Sequence, residues 1–285
     1  MKLIDVLSSF SYSKKKSTFL TRIGIIFKTR IKMALSYKSS YLMTIFLNLV
    51  TIVMYFFFSK LNPDLTIFGI SSTYLEFVFL GLSLQMIIGT ALGTVCGSLY
   101  NEIVSGTWGS LLVNFNFLEY SLGNTLAGVL LSSVSVIIAL LLAFLFMGSF
   151  YVISIEQIVL IFVLFLLILL SHMALSMLFA SFTIYYQKNS GLVPLLYQLS
   201  KTFTGVVFPI ALLKGFPLVL SRVLPLTYGL EALQSIALSS SINWSIVLIN
   251  SGILLSFIVI IGIIAYFLAS WSIKNSKINN KVEWY

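Results

Sequence analysis

Charge is what this chain of 285 residues has least of. Only 9% of it is Asp, Glu, Lys or Arg and 59% is hydrophobic, whereas about a quarter of a soluble domain is charged. That balance excludes a soluble globular protein. A single cysteine, Cys96, rules out an internal disulfide; lying inside an apolar run, it reads as a small packing residue. One histidine cannot assemble a metal cluster or a nucleophile–base pair. No G-x-x-x-x-G-K-[ST] loop occurs, so the chain has no P-loop for ATP. It is not expected to be an enzyme in its own right or to hold a cofactor. Carboxylates are missing from the interior of the apolar runs: Glu76, Glu102, Glu119 and Glu156 all fall near run ends. Proton or sodium coupling generally uses acidic groups within the membrane, so an ion-coupled transporter is disfavoured. Internal repeats and a signal peptide are not evident either.

What the chain does have is length of apolar sequence. Runs at 40–59, 75–99, 123–149, 157–184, 191–213 and 244–271 reach the ~20 residues that cross a bilayer. They predict an all-α membrane protein of six spans, because only helices and closed barrels satisfy their backbone groups in lipid. The runs are too long and unbroken for barrel strands. Residues 13–38 repeat apolar positions at helical spacing among Arg22, Lys28, Arg30, Lys32 and Lys38. They predict a basic amphipathic helix lying in the interface against anionic lipid, within an N-terminal part of 1–39. A nucleic-acid arm is the rival reading of such charge, but the apolar face needs lipid or protein. Nine cations precede the first span, Lys188 lies between spans 4 and 5, and Lys274, Lys277 and Lys281 lie in a tail of 272–285. Thirteen against Lys60, Lys214 and Arg222 puts both termini in the cytoplasm.

On that orientation the stretch Tyr100–Asn124 faces the cytoplasm. Ser105-Gly106-Thr107 reads as a break and a helix start, with Thr107 or Ser105 as N-cap. Trp108, Leu111, Leu112 and Phe115 follow at i, i+3, i+4 and i+7, one face of a short amphipathic helix. Such a face can be gripped by a partner, or it can lie on the membrane surface. Between spans 5 and 6, Pro209, Pro217 and Pro225 each interrupt helix. They leave pieces 217–224 and 226–238, too short to span and too apolar for water, which predict a re-entrant or interfacial hairpin on the outer face.

Two motifs carry a resemblance. Glu102, Ser105-Gly106-Thr107, Leu111-Leu112-Val113 and Leu122-Gly123 are similar to the E-x-x-S-G-T-x-x-x-L-L-V…L-G-K signature of ABC-2 type transporter permeases, with Phe115 for the usual proline and Asn124 for the usual lysine. Gly205, Phe208, Pro209, Leu224, Pro225, Leu226, Thr227, Tyr228, Glu231, Ala232 and Leu233 resemble that family's G-x-x-F-P…L-P-L-T-Y-x-L-E-A-L-R, with Gln234 for the final arginine. Drug exporters of the daunorubicin-resistance type look closest. The resemblance implies a coupling helix at Glu102, Ser105, Gly106, Thr107, Trp108, Leu111 and Leu112 that docks on a separate ATPase. It implies two ATPase subunits holding ATP and Mg, a second permease subunit, and export of a small hydrophobic or amphipathic solute from the cytoplasm across the cell membrane. An ion-coupled transporter and a non-transporting assembly subunit are the other classes kept open.

Two ionisable residues lie deep in the predicted spans. His172, beside Ser171 and Ser176, reads as a neutral imidazole bonded to a neighbouring helix. Lys201 falls near the middle of the fifth run, where a charge costs at least ~2.5–3.5 kcal/mol unless compensated. It either snorkels to the interface or faces a central cavity and contacts a polar or anionic part of the substrate. In the resembled family spans 2 and 5 line that cavity, which makes Phe203, Phe208 and Leu212 the expected wall and gate.

Overall fold

The computed structural model describes residues 18–60, 64–67, 70–147, 154–187, 191–238 and 242–278. Nearly all of them are helical. Residues 1–17 and 279–285, which include part of the expected N-terminal helix and tail, lie outside the described residues, as does Lys188.

Helix α1 (Phe19–Ser36) starts at Thr18, whose hydroxyl accepts the Thr21 N–H. Its buried face is Ile23, Ile26 and Arg30, the stripe that the 3.6-residue period places on one side. Tyr37 turns the chain directly into α2 (Lys38–Ser59). A two-stranded antiparallel hairpin follows, β1 (Asp64–Ile67) on β2 (Ile70–Thr73), with Asp64 opposite Thr73. No run of apolar residues or turn motif marks this hairpin in the sequence. Next come α3 (Tyr74–Val104), the short α4 (Trp108–Asn114), α5 (Phe117–Met147) and α6 (Ile155–Tyr186). The chain ends with α7 (Leu192–Phe203), a 3-10 turn at Ile210–Leu212, α8 (Phe216–Val223), α9 (Pro225–Ala237) and α10 (Trp244–Ile278).

Five helices, α2, α3, α5, α6 and α10, are long and apolar enough to cross a bilayer. They make this a multi-pass, all-α membrane protein. Helix α3 is the most enclosed of them and packs against α5 and α6, while α10 runs along α6. One apolar core joins Phe77, Val78 and Leu82 of α3 to Ile168 of α6, Leu226 and Leu230 of α9 and Leu254 of α10. A second, at the far end of α3, joins Val95 and Leu99 to Ile26, Trp108, Tyr120, Ala180 and Ile184.

The fifth expected span is not one helix. Helix α7 stops after 12 residues at Phe203, with Thr204 as its C-cap. Gly205 then takes φ +87°, a left-handed conformation that a side chain disfavours and that ends helical hydrogen bonding. The apolar run from 191 to 213 thus reads as continuous in hydropathy but is broken in backbone. Lys201, expected at mid-helix, sits in the last turn of α7. The proline-bounded pieces are two short helices: Pro217 and Pro225 occupy the first turns of α8 and α9, where a missing N–H costs nothing.

Candidate functional site

The bend between α3 and α5 is built around Glu102. After Val104 the chain turns through Gly106 at φ +71°, and the Thr107 N–H returns 3.0 Å to the Glu102 carbonyl oxygen. The Thr107 hydroxyl donates to the Glu102 carboxylate as well. Thr107 does occupy the N-cap position of α4, but its side chain makes no cap bond there. Its backbone is helical, φ −88° and ψ −9°, rather than the extended conformation that brings an N-cap oxygen onto the first free N–H groups. Ser105 donates to the Asn101 carbonyl, so Ser105-Gly106-Thr107 is a clasp folded back on the end of α3.

The apolar face of α4 turns inward. Trp108 is 3% exposed and meets Tyr120 edge-on at 5.4 Å and Phe117 at 6.5 Å. Leu111, Leu112 and Phe115 pack against the same cluster. The reason is the apolar ground already there, Val95, Leu99 and Ile26, which buries more surface than a flat interface with head groups would. What remains outside is Val104 and Val113, 67% and 72% exposed, with Ser105, Gly106, Ser110 and Asn114 between them. That outward surface carries no charge.

Helix α1 is fastened to both sides of the bend. Arg30 donates to Glu102 Oε1 at 2.6 Å and to the Tyr120 hydroxyl at 3.1 Å, with its guanidinium 5.5 Å from the Tyr120 ring centroid. Arg22 lies 3.7 Å from Glu119, which also accepts the Asn116 N–H at 2.9 Å at the start of α5. Arg30, Glu119 and Tyr120 are not among the sequence-derived site residues. One signal was there to find: Arg30 stands four residues after Ile26 and seven after Ile23, on the stripe that packs rather than the face that is wet.

The residues expected to line a cavity lie on both sides of the break in the fifth run. Lys201 is half-buried, its ammonium 5.6 Å from the Tyr55 ring centroid on α2. Phe203 is half-buried, while Phe208 and Leu212 beyond the break point outward at 48% and 66% exposure. His172 is buried as expected, but its Nδ1 bonds the Ile168 carbonyl of its own helix at 2.8 Å instead of a neighbouring helix.

The second motif closes the α8–α9 hairpin. Pro225 opens α9, Thr227 donates to the Ser221 carbonyl, the Tyr228 hydroxyl donates to the Arg222 carbonyl at 2.9 Å, and Arg222 pairs with Glu231 at 3.0 Å. Pro209 is the N-cap of the 3-10 turn. Gln234, standing where the resembled motif has arginine, donates to the Gly205 carbonyl at 3.1 Å. It thereby satisfies an acceptor that the break in helix frees.

No family model matches this chain, and no match is found among curated proteins.

Proposed function

We propose that this chain is the membrane-spanning subunit of an ATP-driven exporter with the ABC-2 permease architecture. One observation carries the reading most of the way: a short helix at the bend between two spans, bolted from within by Glu102 and Arg30 and presenting an uncharged outer face of Val104, Ser110, Val113 and Asn114. A rigid elbow with a bare face is suited to receive a soluble partner and pass its motion into α3 and α5. The partner is an ABC ATPase, which binds ATP and Mg; two of them serve two permease chains in the cell membrane, with both termini cytoplasmic. Drawing the ATPases together swings α4 and the ends of α3 and α5, closes the inside and opens the outside, and moves a hydrophobic or amphipathic solute outward.

The burial of Glu102 and Trp108 supports a role for them inside the elbow. They transmit the motion, and Val104, Ser110 and Val113 make the contact. An ion-coupled mechanism gains no support from these carboxylates, since Glu102 pairs with Arg30 and Glu119 with Arg22 at the end of the bundle. Lys201 is proposed to contact the solute where two permease chains meet. Lys201→Met should therefore lower transport and solute-stimulated ATP hydrolysis.

The test is a pull-down from native membranes in mild detergent. A P-loop ATPase should co-purify with the wild-type chain and be lost with Val113→Asp, while the variant keeps its unfolding temperature. Reconstituted transport with neither ATPase nor nucleotide present would remove the proposal.

A further inference from the structure

Helix α1 has two apolar stripes, and the bundle uses one of them. Ile23, Ile26 and Arg30 are buried against α5 and the bend. Leu20, Gly24, Phe27, Ile31 and Leu35 recur at spacings of three and four, which aligns them on the neighbouring side of the helix. Leu20 and Leu35 are exposed. Leu20, Gly24 and Phe27 border, with Leu126, Val129 and Leu130 of α5, an open groove of about 450 Å³. Ser133 also borders it, but donates its hydrogen to the Leu130 carbonyl at 2.7 Å. Gly24 is what keeps the groove open: no described atom comes within 4 Å of the place a Cβ would take. Glycine weakens a helix interior, and here no close packing offsets the loss.

Cations flank the same stripe. Lys28 follows Phe27 directly, and Lys32 stands four residues further, one turn along the helix. Both are exposed, α1 contains no carboxylate, and no described carboxylate pairs with either lysine. Like charges at that spacing repel, and an anion between them removes the repulsion. An apolar groove bordered by a cation pair calls for a ligand with both parts, an alkyl chain and a negative head. We propose that the groove is a binding site for one anionic phospholipid, with an acyl chain between α1 and α5 and its phosphate at Lys28 and Lys32. On α5 the lining runs from Leu126 to Ser133, a rise of ~10 Å, so the chain lies along a membrane-spanning helix and the head stays at the level of α1. Arg22 and Arg30 fasten the same helix to Glu119 and Glu102, so the lipid clamps α1 onto the bend. Such a site requires a bilayer around the spans and is independent of export.

The full chain would be reconstituted in phosphatidylcholine vesicles holding a trace of phosphatidylglycerol with a diazirine in one acyl chain. After irradiation, adducts are mapped by peptide mass spectrometry. Adducts are expected within 20–27 and 126–133, about tenfold more than from a phosphatidylcholine bearing the same diazirine. Lys28→Gln with Lys32→Gln should erase that preference, while Lys60→Gln, at the far end of α2, should keep it. Gly24→Leu should fill the groove and abolish adducts in both segments without lowering the unfolding temperature, since a helical glycine is replaced. Equal labelling by the two lipids would reduce the groove to a place for ordinary boundary lipid and overturn the proposal. So would labelling unchanged in Gly24→Leu, or loss of the adducts in excess soluble glycerol phosphate. Adducts confined to other segments, as a second copy of the chain seated on the groove would give, would overturn it too. The lysine variants decide the matter even if Gly24→Leu does not fold.

Discussion

Arg30 and Glu102 stand 72 residues apart in the chain, yet their side chains meet at 2.6 Å with almost no solvent around them. Through that contact the amphipathic helix α1 grips the bend between two spans. Removing one partner would leave a charge buried and alone, at a cost of about 3–5 kcal/mol. Arg30→Met should therefore lower the unfolding temperature sharply in detergent. The pair Arg30→Met with Glu102→Leu should recover much of the loss. If the two effects merely add in a double-mutant cycle, the pair is not coupled.

Trp108 should behave as a core residue. Trp108→Ala is expected to destabilise the chain by about 3–5 kcal/mol, while Val113→Ala should stay within about 0.5 kcal/mol. Thermal unfolding of both variants checks this. Equal stabilities would place Trp108 on the surface. The contrast also matters for reading coupling experiments, because lost activity in a Trp108 variant is interpretable only once its folding is known.

Helix α1 sits close on α5 because Gly123 has no side chain. An added Cβ would lie 2.7 Å from Ile26 Cβ. Gly123→Ala should cost about 1–3 kcal/mol through overpacking. Ile26→Ala in the same chain should return part of it, because it keeps Ile26 Cβ but removes Cγ2, which also lies 2.7 Å from the added Cβ, even though it destabilises the chain when made alone. Protease susceptibility of α1, followed by limited digestion, gives an independent readout, and cleavage unchanged by Gly123→Ala would refute the close fit.

At the opposite end, the two staples of the α8–α9 hairpin should differ in weight. The Arg222 side chain is 44% exposed and that of Glu231 15%. Glu231→Gln should accordingly cost no more than about 1 kcal/mol, less in high salt. Thr227 is fully buried and donates to the Ser221 carbonyl. Thr227→Val removes that bond, leaving the Ser221 carbonyl with the Leu224 N–H at 3.1 Å, and should cost about 0.5–1.5 kcal/mol at any salt concentration. Unfolding curves at low and high ionic strength separate the two, and a salt-sensitive Thr227→Val effect would contradict the assignment.

Proline made the α8–α9 region legible in the sequence, because Pro217 and Pro225 act locally and leave little choice of conformation. Apolar length did the same for α2, α3, α5, α6 and α10. The break in the fifth run was not legible. Residues 204–208 are as apolar as helix, with only Gly205 to mark the stop, and what makes the break tolerable is Gln234 from a later helix. Periodicity found the apolar face of α4 but could not say which way it turned. That depended on Val95, Leu99 and Ile26, two of them on the preceding span and one on α1. The partners of Glu102 and Glu119 were hidden for the same reason: an ion pair between distant segments leaves no local pattern.

The short α7 has a mechanical consequence. Its 12 residues rise only ~18 Å, well under the ~30 Å of a hydrocarbon layer. Beyond it the chain continues as non-helical peptide, in which Thr204, Gly205, Val206 and Val207 are buried. Two rods joined by such a swivel do not share a tilt. Rotation of α7 with α3 dissipates at Gly205 unless the Gln234 tether conveys it, so one amide hydrogen bond sets how tightly the upper half of the protein follows the lower.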